Sequence, residues 1–331
     1  MPEKLIDPYG RTIDYLRLSI TEQCNLNCVY CRSESKNCRM GTVEKGLTVK
    51  ECTAIAEAAV GLGMKRIRLT GGEPLVHPGI LDIISHLSSL DGLEDLSLTT
   101  NGTLLEGMAG KLAGAGLDRV NISLDTLDGE SYRRVTGGGN INKVLRGIEK
   151  SAEAGLTPVK INVVLLNGIN AHEIRKFIEL TRVKALDIRF IEYMPFLGNQ
   201  VWHQYFLPLD KVKEIAKSIA PIESVKGEHG GPAKYFRLQG ALGKIGLIST
   251  LSRHICRVCN RLRVTSDGAL KPCLFSADEI DVKALLTDRE TLKLKFREAI
   301  KMKPDPARVR TDPYERVKQF KQKRTMSQIG G

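Results

Sequence analysis

Of the eight cysteines in this chain of 331 residues, six fall into two sets of three. Cys24, Cys28 and Cys31 are spaced x3 and then x2, with Tyr30 just before the last. Cys256 and Cys259 are spaced x2, and Cys273 follows after thirteen residues. Three thiolates on one short loop can hold three irons of a [4Fe–4S] cube and leave the fourth without a protein ligand. An open iron is a reactive position, as an open position on zinc is. A structural zinc site takes four ligands, so it would need Cys38 at the first set and His254 at the second, and at the second set the spacing alone leaves zinc open.

Other residues add to this chemistry. Arg261 and Arg263 begin two residues after Cys259 on an alternating stretch, which sends both guanidiniums to one side. Planar bidentate donors beside a metal site suit a polyphosphate or a purine edge. Gly71-Gly72 lets backbone approach a ligand closely, and Pro74 stiffens the exit. Gly137-Gly138-Gly139 reads as a flexible connector before a helix, since no strand precedes it in the register of a phosphate loop. Cys52 falls on the apolar face of a helix with Ile55, Ala56 and Ala59 and reads as a small core residue.

Strands and helices must position these groups. Tyr15 to Ile20 alternates and is β-rich, so it delivers the cysteine loop at its C-terminal end. Thr48-Val-Lys-Glu51 is a capping box for the next helix. Strands are expected over 66–70, 93–99, 119–124, 159–165 and 186–191, and helices over 79–90, 104–115, 141–154 and 171–183. Such alternation demands a parallel sheet with right-handed crossovers, here an α/β incomplete (βα)6 TIM-like barrel. In such a barrel the C-terminal strand ends build the site, and they are polar here: Thr70-Gly-Gly-Glu-Pro74, Thr99-Thr-Asn101, Asn121-Ile-Ser123, Lys160-Ile-Asn162, Glu192-Tyr-Met194. Past Pro195 the repeat stops, and 202–246 is irregular before a β-like run at 244–249. The expected division is 1–200 for the barrel and 201–331 for a C-terminal region with the second cysteine set, a basic segment and a Gly-Gly tail.

Composition narrows the classes. A hydrophobic content of 42% with 27% charged residues is ordinary for a globular protein, and no apolar run approaches the roughly 18 residues needed to span a bilayer. Residues 1–10 have no apolar core of a signal peptide, and cysteines clustered this way suit metal ligation in a reducing compartment, so a cytoplasmic protein is expected. The net charge of +12 favours an anionic partner, nucleic acid or nucleotide phosphate. Residues 301–331 carry nine Lys or Arg against three Asp or Glu, which on its own reads as a solvated basic segment.

Cys-x3-Cys-x-Tyr-Cys directly after a strand resembles the signature of the radical S-adenosylmethionine (radical SAM) enzymes. With Asp7-x2-Gly-Arg11, Thr70-Gly-Gly-Glu-Pro, Thr99-Thr-Asn-Gly, Asn121-x-Ser-Leu-Asp, Phe190-Ile-Glu-x-Met-Pro195, Cys259-Asn-Arg-x-Arg263, Cys273-Leu-Phe and the Gly-Gly end, nearly the whole chain resembles one branch, the GTP 3′,8-cyclase family. The resemblance implies a radical SAM barrel whose C-terminal extension carries a second Fe–S cluster. Cys24, Cys28 and Cys31 would hold the SAM-binding [4Fe–4S] cluster, and Cys256, Cys259 and Cys273 the other. Tyr30, Gly72, Ser123 and Met194 fall where the family contacts SAM. Arg17, Arg68, Thr99, Lys160, Arg261 and Arg263 fall where it contacts GTP, and Arg17, Gly330 and Gly331 take a catalytic part.

The reaction implied is radical SAM conversion of GTP to (8S)-3′,8-cyclo-7,8-dihydroguanosine 5′-triphosphate, the first step of molybdenum cofactor biosynthesis. A 5′-deoxyadenosyl radical would remove the ribose C3′ hydrogen, and C3′ would then attack purine C8. The partners implied are GTP, an external one-electron reductant, cyclic pyranopterin monophosphate synthase as acceptor of the product, and a second copy in a homodimer; no membrane and no nucleic acid are expected. The sequence departs from the family's pattern after Cys31, where Arg32-Ser-Glu-Ser-Lys36 replaces a Met-Pro start and Cys38 is extra. Two rivals are a radical SAM peptide-modifying enzyme with an auxiliary cluster and a zinc protein binding nucleic acid through the basic tail.

Overall fold

The computed structural model describes residues 4–31, 46–195, 201–227, 231–253 and 255–330. Six strands alternate with helices along the first part of the chain: β1 (Tyr15–Ser19), β2 (Arg66–Thr70), β3 (Asp95–Thr100), β4 (Arg119–Ser123), β5 (Lys160–Leu165) and β6 (Asp187–Glu192). They pair in that order, all parallel. The crossovers carry α1 (Val49–Gly61), α2 (Ile80–Ser88), α3 (Leu105–Gly114), α4 (Gly129–Thr136), α5 (Ile141–Glu153) and α6 (Ile174–Val183).

Over residues 15–192 the expected elements are present with ends shifted by up to three residues, except that α4 is additional; 202–246, expected to be irregular, instead holds two helices and two strands. Helix α4 is only eight residues long, capped by Asp128, whose side chain accepts from Ser131 N, and ended by Gly137 in the left-handed region at φ 69°. The Gly-rich connector is thus the stop of one helix and the start of the next, for Asn140 caps α5. The box at Thr48 and Glu51 forms as expected.

What the repeat does not reveal is the fate of the later strands. These are β7 (Ile222–Val225), β8 (Lys234–Leu238), β9 (Lys244–Ile248), β10 (Arg261–Val264), β11 (Ala269–Lys271) and β12 (Ile280–Asp281). They join both edges of the same sheet. β10 lies parallel to β1, with Arg17 opposite Arg263, and β9 lies parallel to β6. The order is β12-β11-β10-β1-β2-β3-β4-β5-β6-β9-β8-β7, an arc of eight parallel strands with an antiparallel pair at each end. α7 (Trp202–Tyr205) and α8 (Asp210–Ile219) precede β7; α9 (Arg289–Lys301), α10 (Pro313–Lys318) and α11 (Met326–Ile329) close the chain.

Strand alternation fixes the two faces. Leu16, Leu18, Ile67, Leu69, Leu98, Val120, Ile122, Ile161, Ile188 and Phe190 are almost wholly buried in one core with the inward stripes of the helices, such as Ile55 and Ala59 of α1 and Ile83, Ile84 and Leu87 of α2. Each such side chain contributes about 1.5–3 kcal/mol through burial. The residues between them face the barrel axis and are of the opposite kind: Arg17, Arg68, Ser97, Arg119, Asn121, Lys160, Asn162, Arg189. A TIM barrel fills its axis with layers of branched apolar side chains. Here the axis is polar and hollow.

Candidate active site

The hollow is a cavity of about 610 Å³, within the range of small-molecule sites. Its two ends are set by topology. Cys24, Cys28 and Cys31 follow the C-terminal end of β1, whereas Cys256 and Cys259 precede the N-terminal end of the parallel strand β10. Cys273 comes two residues after β11, which runs antiparallel to β10 and so ends at the same side as Cys259. The two triplets therefore cap opposite ends of one axial cavity, and all six cysteines line it.

None of the seven described cysteines forms a disulfide. Among the described residues no three His, Cys, Asp or Glu are gathered closely enough for one metal ion. A cubane asks for a looser triplet, since each thiolate binds its own iron. Cys52 is fully buried on α1 and burial holds its thiol far above its ordinary value, which makes it inert. Cys38, His254, Gly331 and the departure at Arg32 to Lys36 lie outside the described residues.

At the first end, Gly71 and Gly72 press against the turn before the cysteine loop. A Cβ on Gly72 would stand 2.3 Å from Gln23 O, and one on Gly71, at φ 153°, 2.4 Å from Thr21 O. Only glycine permits that approach. Glu73 beneath them accepts from Leu75 N, Thr100 Oγ1 and Asn101 N; burial lifts its carboxyl to about 7 against those bonds. The Asn101 side chain reaches back to Asn25 Oδ1 at 2.8 Å and toward Cys24 Sγ at 3.9 Å. The Tyr30 hydroxyl donates to Asp125, which also accepts from Val164 N and is raised by burial to about 6. Gly72, Tyr30, Ser123 and Met194 all line this end.

Between the ends the wall is cationic. Arg263, Arg17 and Arg68 stand side by side on three adjacent strands, and Ser97 and Arg119 continue the row. These arginines lie inside the barrel, on first or third strand residues, and not at its mouth. Arg17, Arg119, Lys160, Arg189 and Arg263 are each less than a tenth exposed. Burial, then the mutual repulsion of Arg263, Arg68 and Arg261, holds Arg17 well below the usual arginine range. Burial lowers Arg68 and Arg263 to about 10. Lys160 falls to about 7 through burial and then the charges of Arg119 and Arg189. The carboxylates on this face are Asp95 and Asp187, at the start of β3 and β6. Buried like charges in such excess are costly unless an anion joins them.

At the second end Cys259 is pushed up by burial but pulled further down, to about 6, by Arg261 and Lys303. Arg316 Nη2 donates to Cys256 Sγ at 3.2 Å, and Arg11 Nη1 to Cys256 O at 2.8 Å. The tail crosses back toward the first end. Arg263 Nη1 donates to Gly330 O at 2.8 Å, and a Cβ on Gly330, at φ 75°, would stand 2.2 Å from Thr70 Cγ2.

Of the site residues expected from sequence, Arg17, Arg68, Thr99, Arg261 and Arg263 line the cavity; Lys160 lies in the next row, paired with Asn121 and Asp187, and Gly330 reaches it through Arg263. Tyr15, Asp95, Arg119 and Arg189 were missed. Their signal was parity: Arg119 is two residues before Asn121, and Arg189 three before Glu192 on a strand whose odd positions face the axis.

The family model described as the Radical SAM superfamily matches residues 18–181, and that described as Molybdenum Cofactor Synthesis C matches 186–309. A GTP 3′,8-cyclase of Alkaliphilus oremlandii is 45% identical over 98% of this chain and 99% of its own. One of Thermodesulfovibrio yellowstonii is 42% identical over 98% and 99%. The chain belongs to the GTP 3′,8-cyclase family. The crystal structure of SuiB from Streptococcus suis shares the fold, with a TM-score of 0.59 at 16% identity over 86% of this chain and 68% of that one. None of the helices among the described residues is long and apolar enough to cross a membrane.

Proposed function

We propose that this chain cyclises GTP between ribose C3′ and purine C8, with the nucleotide lying along the axial cavity between the two cysteine triplets. The observation that carries the reading is the cavity itself: thiols at both ends, a cationic wall between, and the triphosphate as the anion the wall lacks.

Cys24, Cys28 and Cys31 would hold one [4Fe–4S] cluster with SAM at its open iron, and Cys256, Cys259 and Cys273 a second. When bound, the first cluster with SAM supplies the one-electron chemistry that the protein cannot. The chain's own part is to place and enclose. Gly71 and Gly72 offer bare backbone to the methionyl end of SAM, with Tyr30, Ser123 and Met194 around the rest. Tyr30 is held by Asp125, so its ring has one orientation. Arg17, Arg68, Lys160, Arg261 and Arg263 neutralise the triphosphate from separate strands and thereby fix the ribose and purine along the axis. Thr99 offers a hydroxyl from the same face. Arg17 and the Gly330-Gly331 tail, tied through Arg263, would position the reacting nucleotide and exclude water.

In the same proposal, residues 1–200 serve SAM and 201–331 serve the purine and the tail. An external one-electron reductant, a homodimer in the cytoplasm and delivery of product to cyclic pyranopterin monophosphate synthase complete it. The test is anaerobic turnover with GTP and SAM. The expected products are 5′-deoxyadenosine and a cyclised nucleotide in step with one another; 5′-deoxyadenosine formation unaffected by GTP, with no new nucleotide, would refute it.

A further inference from the structure

The far wall of the cavity holds polar groups that this account leaves unused. Arg119, the first residue of β4, is 3% exposed. Its Nη2 bonds to the buried carboxylate of Asp95, but its Nε and Nη1 have no partner, although the side chain lines the cavity. Tyr15, the first residue of β1, is also buried and lines the cavity, and its hydroxyl too has no partner. Arg68 lies over the Tyr15 ring, 5.4 Å from its centroid, and its Nε donates to Ser97 Oγ at 3.1 Å. Burial pushes the Tyr15 phenol up, yet Arg68, Arg17 and Arg119 together hold it below its ordinary value.

These groups face one volume at the N-terminal ends of β1 to β4. Four strand steps separate that level from Ser123, about 13 Å along β4. A buried guanidinium with two unbonded nitrogens beside an unbonded hydroxyl is destabilising while empty, and a compact oxyanion satisfies all of them at once. Asp95 fixes the orientation of Arg119 and leaves its other nitrogens for a ligand.

We propose that Arg119, set by Asp95, and the Tyr15 hydroxyl seat the terminal phosphate of the bound nucleotide, so that the cavity distinguishes a triphosphate from a diphosphate. This rests on the reading that GTP lies along the axis. Arg119 is then a specificity-determining residue and Asp95 its positioning residue.

The experiment is equilibrium dialysis of GTP and GDP against the full-length protein with both clusters reconstituted anaerobically and SAM present. The wild-type protein is expected to bind GTP about tenfold or more tightly than GDP. Arg119→Gln should bring that ratio close to one while leaving GDP affinity nearly as it was; Arg119→Lys should restore part of it; Tyr15→Phe should reduce it several-fold. If Arg119→Gln fails to fold because Asp95 is left unpaired, Asp95→Asn with Arg119→Gln keeps a neutral hydrogen-bonded pair and reads the same ratio. GTP and GDP affinities that fall together, or a ratio unchanged in Arg119→Gln and Tyr15→Phe, would overturn the proposal alone. A wild-type protein that binds neither nucleotide would overturn the reading of the whole cavity.

Discussion

The two ends of the cavity offer the same three thiols in opposite surroundings. At the first end the loop lies at the surface: Gln23 just before it, and Asn25, Asn27 and Val29 between the cysteines, are exposed, Val29 by 60%, and the buried carboxyl neighbours are Glu73 and Asp125. At the second end the neighbours are cations. Lys303 Nζ donates to Arg261 O at 2.7 Å and Pro272 O at 2.9 Å, Arg316 donates to Cys256 Sγ, and Arg316 also lies over Phe275, which stacks on Phe320 at 4.0 Å. Cluster potentials follow net charge, hydrogen bonds to sulfur and exposure. Carboxylates disfavour added negative charge, and cations with N–H donors favour it. On the proposed ligation, a cluster at the first end would thus give up an electron more readily, and one at the second would hold added charge more readily.

The most severe way to break this contrast is to remove the thiols. Replacing Cys24, Cys28 or Cys31 by Ala should halve an iron content of about eight per chain and abolish SAM cleavage. Replacing Cys256, Cys259 or Cys273 should also halve the iron, but spare some 5′-deoxyadenosine while removing the cyclised nucleotide. Iron and sulfide analysis with chromatography of both products decides it, and iron lost from Cys52→Ala would show the ligand sets to be misassigned.

The tail joins the ends, so it sharpens the comparison next. Gly330→Ala puts a methyl group 2.2 Å from Thr70 Cγ2 in a left-handed backbone conformation. A displacement of about 1 Å in a positioned reactant costs on the order of a hundredfold. Cyclised product should fall by that order with clusters and uncoupled 5′-deoxyadenosine intact. Unchanged product yield would leave the tail without a part in the reaction.

A smaller effect is expected from pH. Lys160, one row from the residues that line the cavity, is near 7 because burial and then Arg119 and Arg189 oppose its charge. A bound triphosphate raises it, so above pH 7 GTP binds with uptake of a proton, and affinity declines by up to about tenfold per pH unit as pH rises. Below pH 7 the lysine is already charged and this dependence vanishes. Titration calorimetry in buffers of different ionisation heat measures the proton, and Lys160→Arg should flatten the profile.

The smallest change concerns Arg316→Gln, which removes the charged donor to Cys256. The second cluster's potential should shift downward, with the first unmoved, in an anaerobic redox titration followed by electron paramagnetic resonance. Equal shifts at both would mean that the surroundings do not differ as described.

Much of this was legible in the chain. Local spacing gave away the cysteine loop, the Gly71-Gly72 turn and the capping box at Thr48, because each is determined within a few residues. Six strand and helix units followed from periodicity. The polar axis was harder: period two assigns Arg119 and Arg189 to a side, but a polar side ordinarily means solvent, and only a closed arc turns it into an interior. α4 hid behind three glycines. The pairing of β10 with β1 left no local trace, since Asn260 and Asp14, which bond across it, stand 246 positions apart.

That separation has a consequence for how the chain is made. At the roughly 5–20 residues per second of synthesis, β1 waits about 12–50 s before β10 exists. Throughout that interval one row of its peptide groups is open, a template for any stray strand. Long-range parallel pairing is also the slowest kind to form. The nascent barrel is therefore a natural client for chaperones, and a gene fragment ending before Arg261 should yield inclusion bodies instead of a small working barrel.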